Sequence, residues 1–297
     1  MLARCYKLQG LTLCLLALVP VCLNAQELRY KFQAGSKNSY VMEQKQNMKM
    51  SAMGQEFEIN MNMMFEMSQT TESVDTATGN GKIKQKIDRV VMKMEGGPIG
   101  SMEYDSKSDK EPEGALAAMA GIFKAMTEGE IKMTISPRGE VSDVKMSEKL
   151  MEELKNVGGQ AGGLGGNMFS EDQFKNMMDQ SVLVLPKEAP VSGSTNWEKT
   201  LDMKMGPMGT MKTKTKYSYA GKSGDFDKID MKLNLNLEPD PNAPFQMKMT
   251  TKDASGTTLF DNAKGRVQEM NMKTISEMDM GGIGSANITQ TMTLKLK

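Results

Sequence analysis

Methionine is the residue type through which this chain could do chemistry. The sequence contains 32 methionines and no histidine, and many of the methionines stand two positions apart in segments that alternate apolar and polar residues. Residues two apart on a β-strand point to the same face of the sheet, so each pair presents two thioether sulfurs together. Thioethers are ligands that soft cations such as Cu(I) and Ag(I) prefer. The pairs are Met48/Met50, Met61/Met63, Met92/Met94, Met203/Met205, Met247/Met249, Met270/Met272 and Met278/Met280.

The sequence leaves three interpretations of these methionines open. They are flexible filler of a hydrophobic core, an adaptable lining for varied apolar ligands, or thioether ligands of Cu(I) or Ag(I). The pairs are spread along the whole chain and no histidine assists them. This favours the first two interpretations, so we predict no metal site and no cofactor. The residues predicted to line an apolar ligand site are Met48, Met50, Phe57, Met61, Met63 and Phe65.

The residue types of most enzyme active sites are missing. Without histidine, the chain lacks the commonest general base and a usual zinc ligand. The three cysteines, Cys5, Cys14 and Cys22, lie in a segment that we predict to be removed, which excludes a thiol nucleophile from the mature chain. Gly221-Lys222-Ser223 is similar to the end of a phosphate-binding loop, but Lys216 stands where that loop requires glycine. Paired carboxylates are left open, and we predict that the protein is not an enzyme.

Residues 1–25 have the pattern of a secretory signal peptide. A short basic region ends at Lys7, an apolar run extends from Leu11 to Cys22, and Ala25 is the small residue that signal peptidase requires. The apolar run is too short to span a bilayer, which takes about 20 residues. Cys22 does not follow a small residue, which argues against a lipoprotein signal. We therefore predict an exported protein, periplasmic or extracellular, with no transmembrane segment.

The balance of charge gives no sign of a nucleic-acid partner. The chain has 37 basic and 37 acidic residues, and loss of Arg4 and Lys7 with the signal peptide leaves a slight acidic excess. Nucleic-acid-binding domains instead carry a clustered excess of lysine and arginine. An apolar small molecule or a lipid is the partner that the methionines favour, and the sequence does not specify a protein partner.

The longest alternating stretch, Ser39 to Met67, predicts a β-hairpin with one apolar face. Apolar residues occupy even positions up to Ala52 and odd positions after Gly54-Gln55, as expected when a second strand folds back on the first. Because successive side chains of a strand point to opposite faces, one set should face the interior and the other should face solvent. The inward set is Phe57, Ile59, Met61, Met63 and Phe65, and the outward set is Glu58, Asn60 and Asn62.

Shorter alternating segments predict further strands. Leu28–Phe32 alternates and is predicted to open the sheet. Between Ile83 and Met94 the apolar residues switch from odd to even positions, which predicts a β-bulge near Asp88-Arg89. From Trp197 to Leu296 alternation returns with short connections, which favours antiparallel pairing.

The middle of the chain has helical patterns. Apolar residues recur there at helical spacing, and capping residues and glycines mark the ends. The predicted elements are a helix over Glu113–Met126, a helix that begins after Ser147, the flexible glycine-rich connector 158–166, and a helix over Glu171–Gln180 with a capping box of Ser170 and Gln173.

These elements predict a mainly β fold of the α+β class. We expect a large antiparallel curved sheet or half-barrel of about a dozen strands, with two or three covering helices. The predicted organisation is a signal peptide over residues 1–25 and a single β-rich domain over 26–297, with a helical and glycine-rich insertion near 113–180.

Several segments of the sequence resemble a known family. Leu28–Phe32, Met102–Lys107, Ser136–Val141, Leu185–Lys187 and Gly256–Asp261 are similar to segments of exported bacterial proteins, common in planctomycetes, that are grouped as a domain of unknown function. The resemblance implies export and offers no catalytic residues. More weakly, the layout resembles the half-barrels of bacterial lipoprotein carriers, in which a curved sheet holds acyl chains under a helix, and this implies a lipid as ligand.

The function predicted from sequence is that of an exported, non-catalytic envelope protein that binds an apolar ligand in a methionine-lined cavity. Two alternatives stay open. One is a structural or protein-interaction module, and the other is the capture of Cu(I) or Ag(I) by methionine sulfurs.

Export predicts a mature chain that begins at Gln26, because the basic, apolar and small-residue regions together place cleavage after Ala25. N-terminal sequencing of the protein recovered from its native host checks this. A chain that begins at Cys22 and carries a lipid would contradict both the cleavage site and the absence of a membrane anchor.

Overall fold

Alternating segments pair along most of their length to form an antiparallel sheet. The computed structural model describes residues 27–52, 54–109, 112, 115–153, 171–204, 209–241, 247–282 and 284–297. The predicted signal peptide, the connector 158–166 and the side chains of the Ser170/Gln173 capping box lie outside this description. The strands are β1 Lys37–Ala52, β2 Gln55–Val74, β3 Gly81–Gly96, β4 Ser101–Asp105, β5 Ile131–Ile135, β6 Val141–Met146, β7 Asn196–Lys204, β8 Thr210–Ser223, β9 Phe226–Glu238, β10 Lys248–Asp261, β11 Arg266–Asp279 and β12 Gly284–Leu296.

Three α-helices and a short 3-10 helix over Gly97–Ile99 accompany the sheet in the described residues. The α-helices are α1 Ala115–Glu128, α2 over 148–153, and α3 Glu171–Ser181. None of these helices is long and apolar enough to span a bilayer. Helix α1 packs on β3, where Phe123 is 3% exposed and contacts a cluster that contains Phe65 and Met92.

The first and last described strands are neighbours in the middle of the sheet. The strand order is β6-β5-β3-β2-β1-β12-β11-β10-β9-β8-β7, with β4 paired to β3. Over the described residues the sheet is open, and β6 and β7 form its two edges. Helix α3 contacts both edges, so the sheet must curve until its two ends approach one helix. The predicted mainly β fold with a large curved antiparallel sheet is confirmed.

The predicted hairpin is confirmed as β1 and β2. Met50 pairs opposite Phe57, and Gly54 in the turn has a φ of 76°, which glycine adopts without steric cost. From Glu56 to Met63 of β2 the exposed positions alternate with half-buried ones as predicted, and the exposed set includes Glu58, Asn60 and Asn62.

The predicted bulge is also confirmed. Glu66 pairs with Arg89 while Met67 pairs with Ile87, so Asp88 is the extra residue of β3. An extra residue changes which face the following positions present. The buried positions accordingly switch from Ile83 and Ile87 to Val90 and Met92; the bulge keeps the apolar residues of β3 on one face.

The segment Leu28–Phe32 is not a strand, although its alternation predicts one. Its N–H groups bond to two different turns, from Tyr30 to the carbonyl of Pro137 at 2.7 Å and from Lys31 to that of Gly265 at 3.2 Å. Leu28 is 0% exposed and belongs to the same cluster as Phe260. The segment therefore plugs one end of the curved sheet, which we call the base; the opposite end, where β1 turns into β2, we call the rim.

Helix α3 and the residues after it join the two sheet edges at the base. Asp179 of α3 forms an ion pair with Lys199 of β7 at 2.9 Å and accepts a hydrogen bond from the backbone N–H of Val141 in β6 at 3.4 Å. The indole N–H of Trp197 in β7 donates to the carbonyl of Val184 at 2.7 Å. We call this junction the seam.

Candidate functional site

Most of the methionines in the described strands project from one face of the sheet. Directly opposed residues of antiparallel strands point to the same side, so the pairing assigns each residue to a face. We call the face that holds the base plug and α1 the inner face; the outer face carries polar residues such as Lys45 and Lys49. The inner-face methionines are Met42, Met48, Met50, Met61, Met63, Met67, Met92, Met94, Met102, Met133, Met146, Met203, Met211, Met231, Met249, Met270, Met272, Met278 and Met292.

The six residues predicted to line a ligand site all lie on the inner face. Phe65 is 8% exposed and belongs to the core. The other five, Met48, Met50, Phe57, Met61 and Met63, are half-buried. Half-buried apolar side chains keep accessible surface that an apolar ligand can cover.

The hairpin does not bring its four paired methionines directly opposite one another. Met48 and Met50 face Ile59 and Phe57, whereas Met61 and Met63 face Gln46 and Gln44. A row of three directly opposed methionines lies instead on the other side of β2. There Met61 is opposite Met94, and Met94 is opposite Met102. We call Met61, Met94 and Met102 the methionine triad.

A continuous apolar row crosses the inner face near the rim, from β7 to β2. Each of its residues is directly opposite the next, so the row is in register across all the strands between them. Leu237 and Ala286 are buried and the others are half-buried. We call it the rim row; its members are Met203, Met211, Leu237, Met249, Met278, Ala286, Met50 and Phe57.

Polar side chains interrupt the inner face below the rim row. Gln290 of β12 lies opposite both Gln46 of β1 and Thr274 of β11. These amide and hydroxyl groups offer hydrogen bonds to a polar group at this depth.

A concavity of about 1080 Å³ spans β7 to β12. Three consecutive residues of each strand line it, and the central ones are the inner-face residues Trp197, Tyr217, Met231, Gly256, Met272 and Met292. The residues immediately before and after each central residue point outward, and both line the concavity. The inner-face residues two positions away do not line it. The concavity therefore lies on the outer face, with the central backbones as its floor, and we call it the outer groove. It is not the methionine-lined cavity that the sequence predicts.

A smaller concavity of about 380 Å³ lies at the seam. Its lining includes Asp179 and Lys199, which pair with each other, and Arg138 and Glu140, which pair at 2.8 Å. The pair of Asp179 and Lys199 joins α3 to β7, and Arg138 and Glu140 pair within the turn between β5 and β6, so we assign this concavity a structural role. Within the described parts of the chain, no group of three or more histidine, cysteine, aspartate or glutamate residues is placed to hold a metal ion.

Residues 78–288 match DUF6263, a family of unknown function. The chain belongs to this family. The match confirms the sequence resemblance to a domain of unknown function and covers most of the sheet, from the turn before β3 into β12. No curated protein sequence matches this DUF6263 chain.

Three solved structures have a distant likeness to this DUF6263 chain. DynF from the dynemicin biosynthesis pathway of Micromonospora chersina has 7% identity and a TM-score of 0.21, with 91% of this chain and 85% of DynF covered. An outer membrane channel from Pseudomonas putida F1 has 7% identity and a TM-score of 0.24, with 90% and 97% covered. The translocator domain of the autotransporter NalP from Neisseria meningitidis has 6% identity and a TM-score of 0.20, with 89% of each covered. Likenesses this weak carry no argument about the DUF6263 chain.

Tyrosines on the inner face stay neutral to unusually high pH in this DUF6263 chain. Burial raises the pKa of Tyr217 to about 12 and that of Tyr40 to about 12. The pKa of Tyr219 is also raised to about 12, by burial and by the hydrogen bond of 2.8 Å that its hydroxyl donates to the carboxylate of Asp227. The inner face therefore remains uncharged at these positions under physiological conditions.

These shifts predict a loss of stability between pH 10 and 12. In this range the unfolded chain releases tyrosine protons that the folded chain retains, so stability present below pH 10 falls as the pH rises toward 12. Denaturant unfolding at successive pH values measures the loss, and the ultraviolet absorbance of tyrosinate follows the ionisation.

Tyr217→Phe serves as the control because it removes one titrating group. Its stability should fall less steeply over the same range. Ionisation of all the tyrosines of the folded protein near pH 10 would contradict the assigned pKa values.

Proposed function

We propose that this protein is an exported, non-catalytic component of the bacterial envelope that binds an apolar ligand, such as a lipid acyl chain, on its inner face. The rim row is the observation that carries the proposal. It places half-buried methionines side by side across consecutive strands at the end of the sheet away from the base plug.

The physical chemistry of the rim row suits an acyl chain. Contiguous apolar surface on a soluble protein commonly marks a binding site, and unbranched thioether side chains repack around ligands of different shape. Each methylene group that leaves water contributes about 0.8 kcal/mol. Gln46, Gln290 and Thr274 lie farther along the same face, where they can hydrogen-bond to a polar end group.

Palmitate binding tests the proposal directly. We expect saturable binding of palmitate in isothermal titration calorimetry. Native mass spectrometry of the protein purified from its own envelope should show a bound lipid. A structural or protein-interaction module would show neither result.

Substitutions on the two faces of β1 test where the ligand binds. Met50→Glu introduces a carboxylate into the rim row and should weaken palmitate binding at least about tenfold, because a charge buried against an acyl chain loses its hydration. Ser51→Glu adds the same charge at the adjacent exposed position and should bind as the unaltered protein does.

Met249→Glu with its neighbour control Thr250→Glu repeats the comparison on β10, and circular dichroism checks that each variant is folded. Equal binding by folded inner-face and outer-face variants would contradict the proposal.

The methionine triad favours a second candidate function, the binding of a soft monovalent cation. Its three residues lie directly opposite one another on β2, β3 and β4, and opposed Cβ atoms in a sheet are about 5 Å apart. Methionine has three rotatable bonds, so three sulfurs on one face at this spacing can turn toward one ion. Thioethers without harder ligands select Cu(I) or Ag(I).

Silver titration tests the triad without the need for a reductant. We expect one Ag(I) per chain in calorimetry and native mass spectrometry, and loss of this uptake in the triple variant Met61→Leu/Met94→Leu/Met102→Leu, which keeps apolar volume and removes the sulfurs. Met203→Leu/Met211→Leu/Met249→Leu removes equally many sulfurs elsewhere and should retain uptake. Absence of uptake, or equal uptake by both variants, would exclude the site.

A further inference from the structure

The outer groove has two walls of different chemistry. One wall consists of residues whose side chains are mostly uncharged hydroxyls and amides: Asn196, Ser218, Asp230, Thr257, Asn271 and Thr293. The other consists of Glu198, Lys216, Lys232, Ser255, Lys273 and Thr291. Each wall runs across β7 to β12 with every residue directly opposite the next, so the groove crosses the strands at about a right angle.

The wall that contains Lys216, Lys232 and Lys273, which we call the lysine wall, carries more positive than negative charge. The acidic residues of the two walls are already paired, Glu198 with Lys214 at 2.9 Å and Asp230 with Lys228 at 3.5 Å. Lys216, Lys232 and Lys273 form no ion pair with another described residue, although Glu198 lies directly opposite Lys216. On its other side Lys216 lies directly opposite Lys232. Like charges in opposed positions are unfavourable, and an anion between them removes the repulsion.

The spacing of these lysines suits a linear polyanion. Neighbouring strands lie about 4.8 Å apart, which puts Lys216 and Lys232 about one strand spacing apart and Lys273 about 10 Å beyond, on the same line. A ligand that crosses the strands along the groove therefore meets a row of ammonium groups on one side and hydroxyl and amide groups on the other.

We propose that the outer groove binds an extended acidic polysaccharide. Carboxylates of the polymer pair with Lys216, Lys232 and Lys273, while its hydroxyl groups exchange hydrogen bonds with the opposite wall. A single-stranded nucleic acid is the less suitable polyanion, because its bases require aromatic side chains on which to stack. The two aromatic residues at this position, Trp197 and Tyr217, project from the inner face, on the side of the sheet away from the groove.

Binding to polygalacturonate, with neutral dextran as the comparison polymer, tests the groove in the full-length mature protein. We expect saturable binding to polygalacturonate at low salt, no binding to dextran, and an affinity that falls as salt screens the lysines. The variant Lys216→Gln/Lys232→Gln/Lys273→Gln should bind at least about tenfold more weakly, because it removes the charges that release counterions.

A matched control separates the groove from general charge. Lys49→Gln/Lys82→Gln/Lys86→Gln removes the same charge from β1 and β3, outside the groove, and should bind polygalacturonate within about twofold of the unaltered protein. None of the six substituted lysines forms an ion pair with another described residue, so circular dichroism should be unchanged. Equal weakening of both variants, or tighter binding to a single-stranded oligonucleotide of equal charge than to polygalacturonate, would overturn the proposal.

Discussion

The contact of one helix with both edges of the sheet is the constraint on which the rest of the structure depends. An open sheet exposes unpaired N–H and C=O groups on its edge strands, and these groups recruit other chains. Asp179 bonds to both edge strands, because it forms an ion pair with Lys199 on β7 and accepts a hydrogen bond from the backbone N–H of Val141 on β6. The residues after α3 continue the junction, with the backbone N–H of Leu185 bonded to the carbonyl of Arg138 at 2.8 Å. The sheet is thereby held curved, and curvature gives it an inner and an outer face.

The two faces then acquire different chemistry from one simple pattern. Alternation along the strands sends most methionine, leucine and phenylalanine side chains inward and most lysine and asparagine side chains outward. At the base the plug fills the inner face, and Leu28, Leu185 and Phe260 are fully buried there. Toward the rim the same face is only half-buried, so its apolar residues remain available to a ligand. On the outer face, registered rows of polar residues enclose the outer groove.

Sequence reasoning succeeds where the decisive information is local. The hairpin of β1 and β2 and the bulge at Asp88 were predictable, because period-two alternation and its change of phase are visible within one segment. Alternation alone misleads at Leu28–Phe32, where the apolar residues enter a plug whose N–H groups bond to distant turns. The outer groove had no local signal, since its walls combine single residues from six strands. The methionine triad likewise required the register of β2, β3 and β4, which follows from tertiary packing and not from the spacing of Met61 and Met63.

The pairing of β1 with β12 has a consequence for how such a chain acquires its structure. Most neighbours in the sheet are joined by short turns, so each half of the sheet can assemble from contacts between nearby residues. The joint between the halves, from Tyr40 opposite Leu296 to Met50 opposite Ala286, closes a loop of nearly the whole described chain. Native contacts between residues so far apart slow the search for the final topology. In a polypeptide that passes through a translocon from its N-terminus, β1 would emerge early and keep one edge unpaired until β12 follows. During that interval the unpaired edge of β1 is where another chain can pair and aggregate, or where a chaperone can bind.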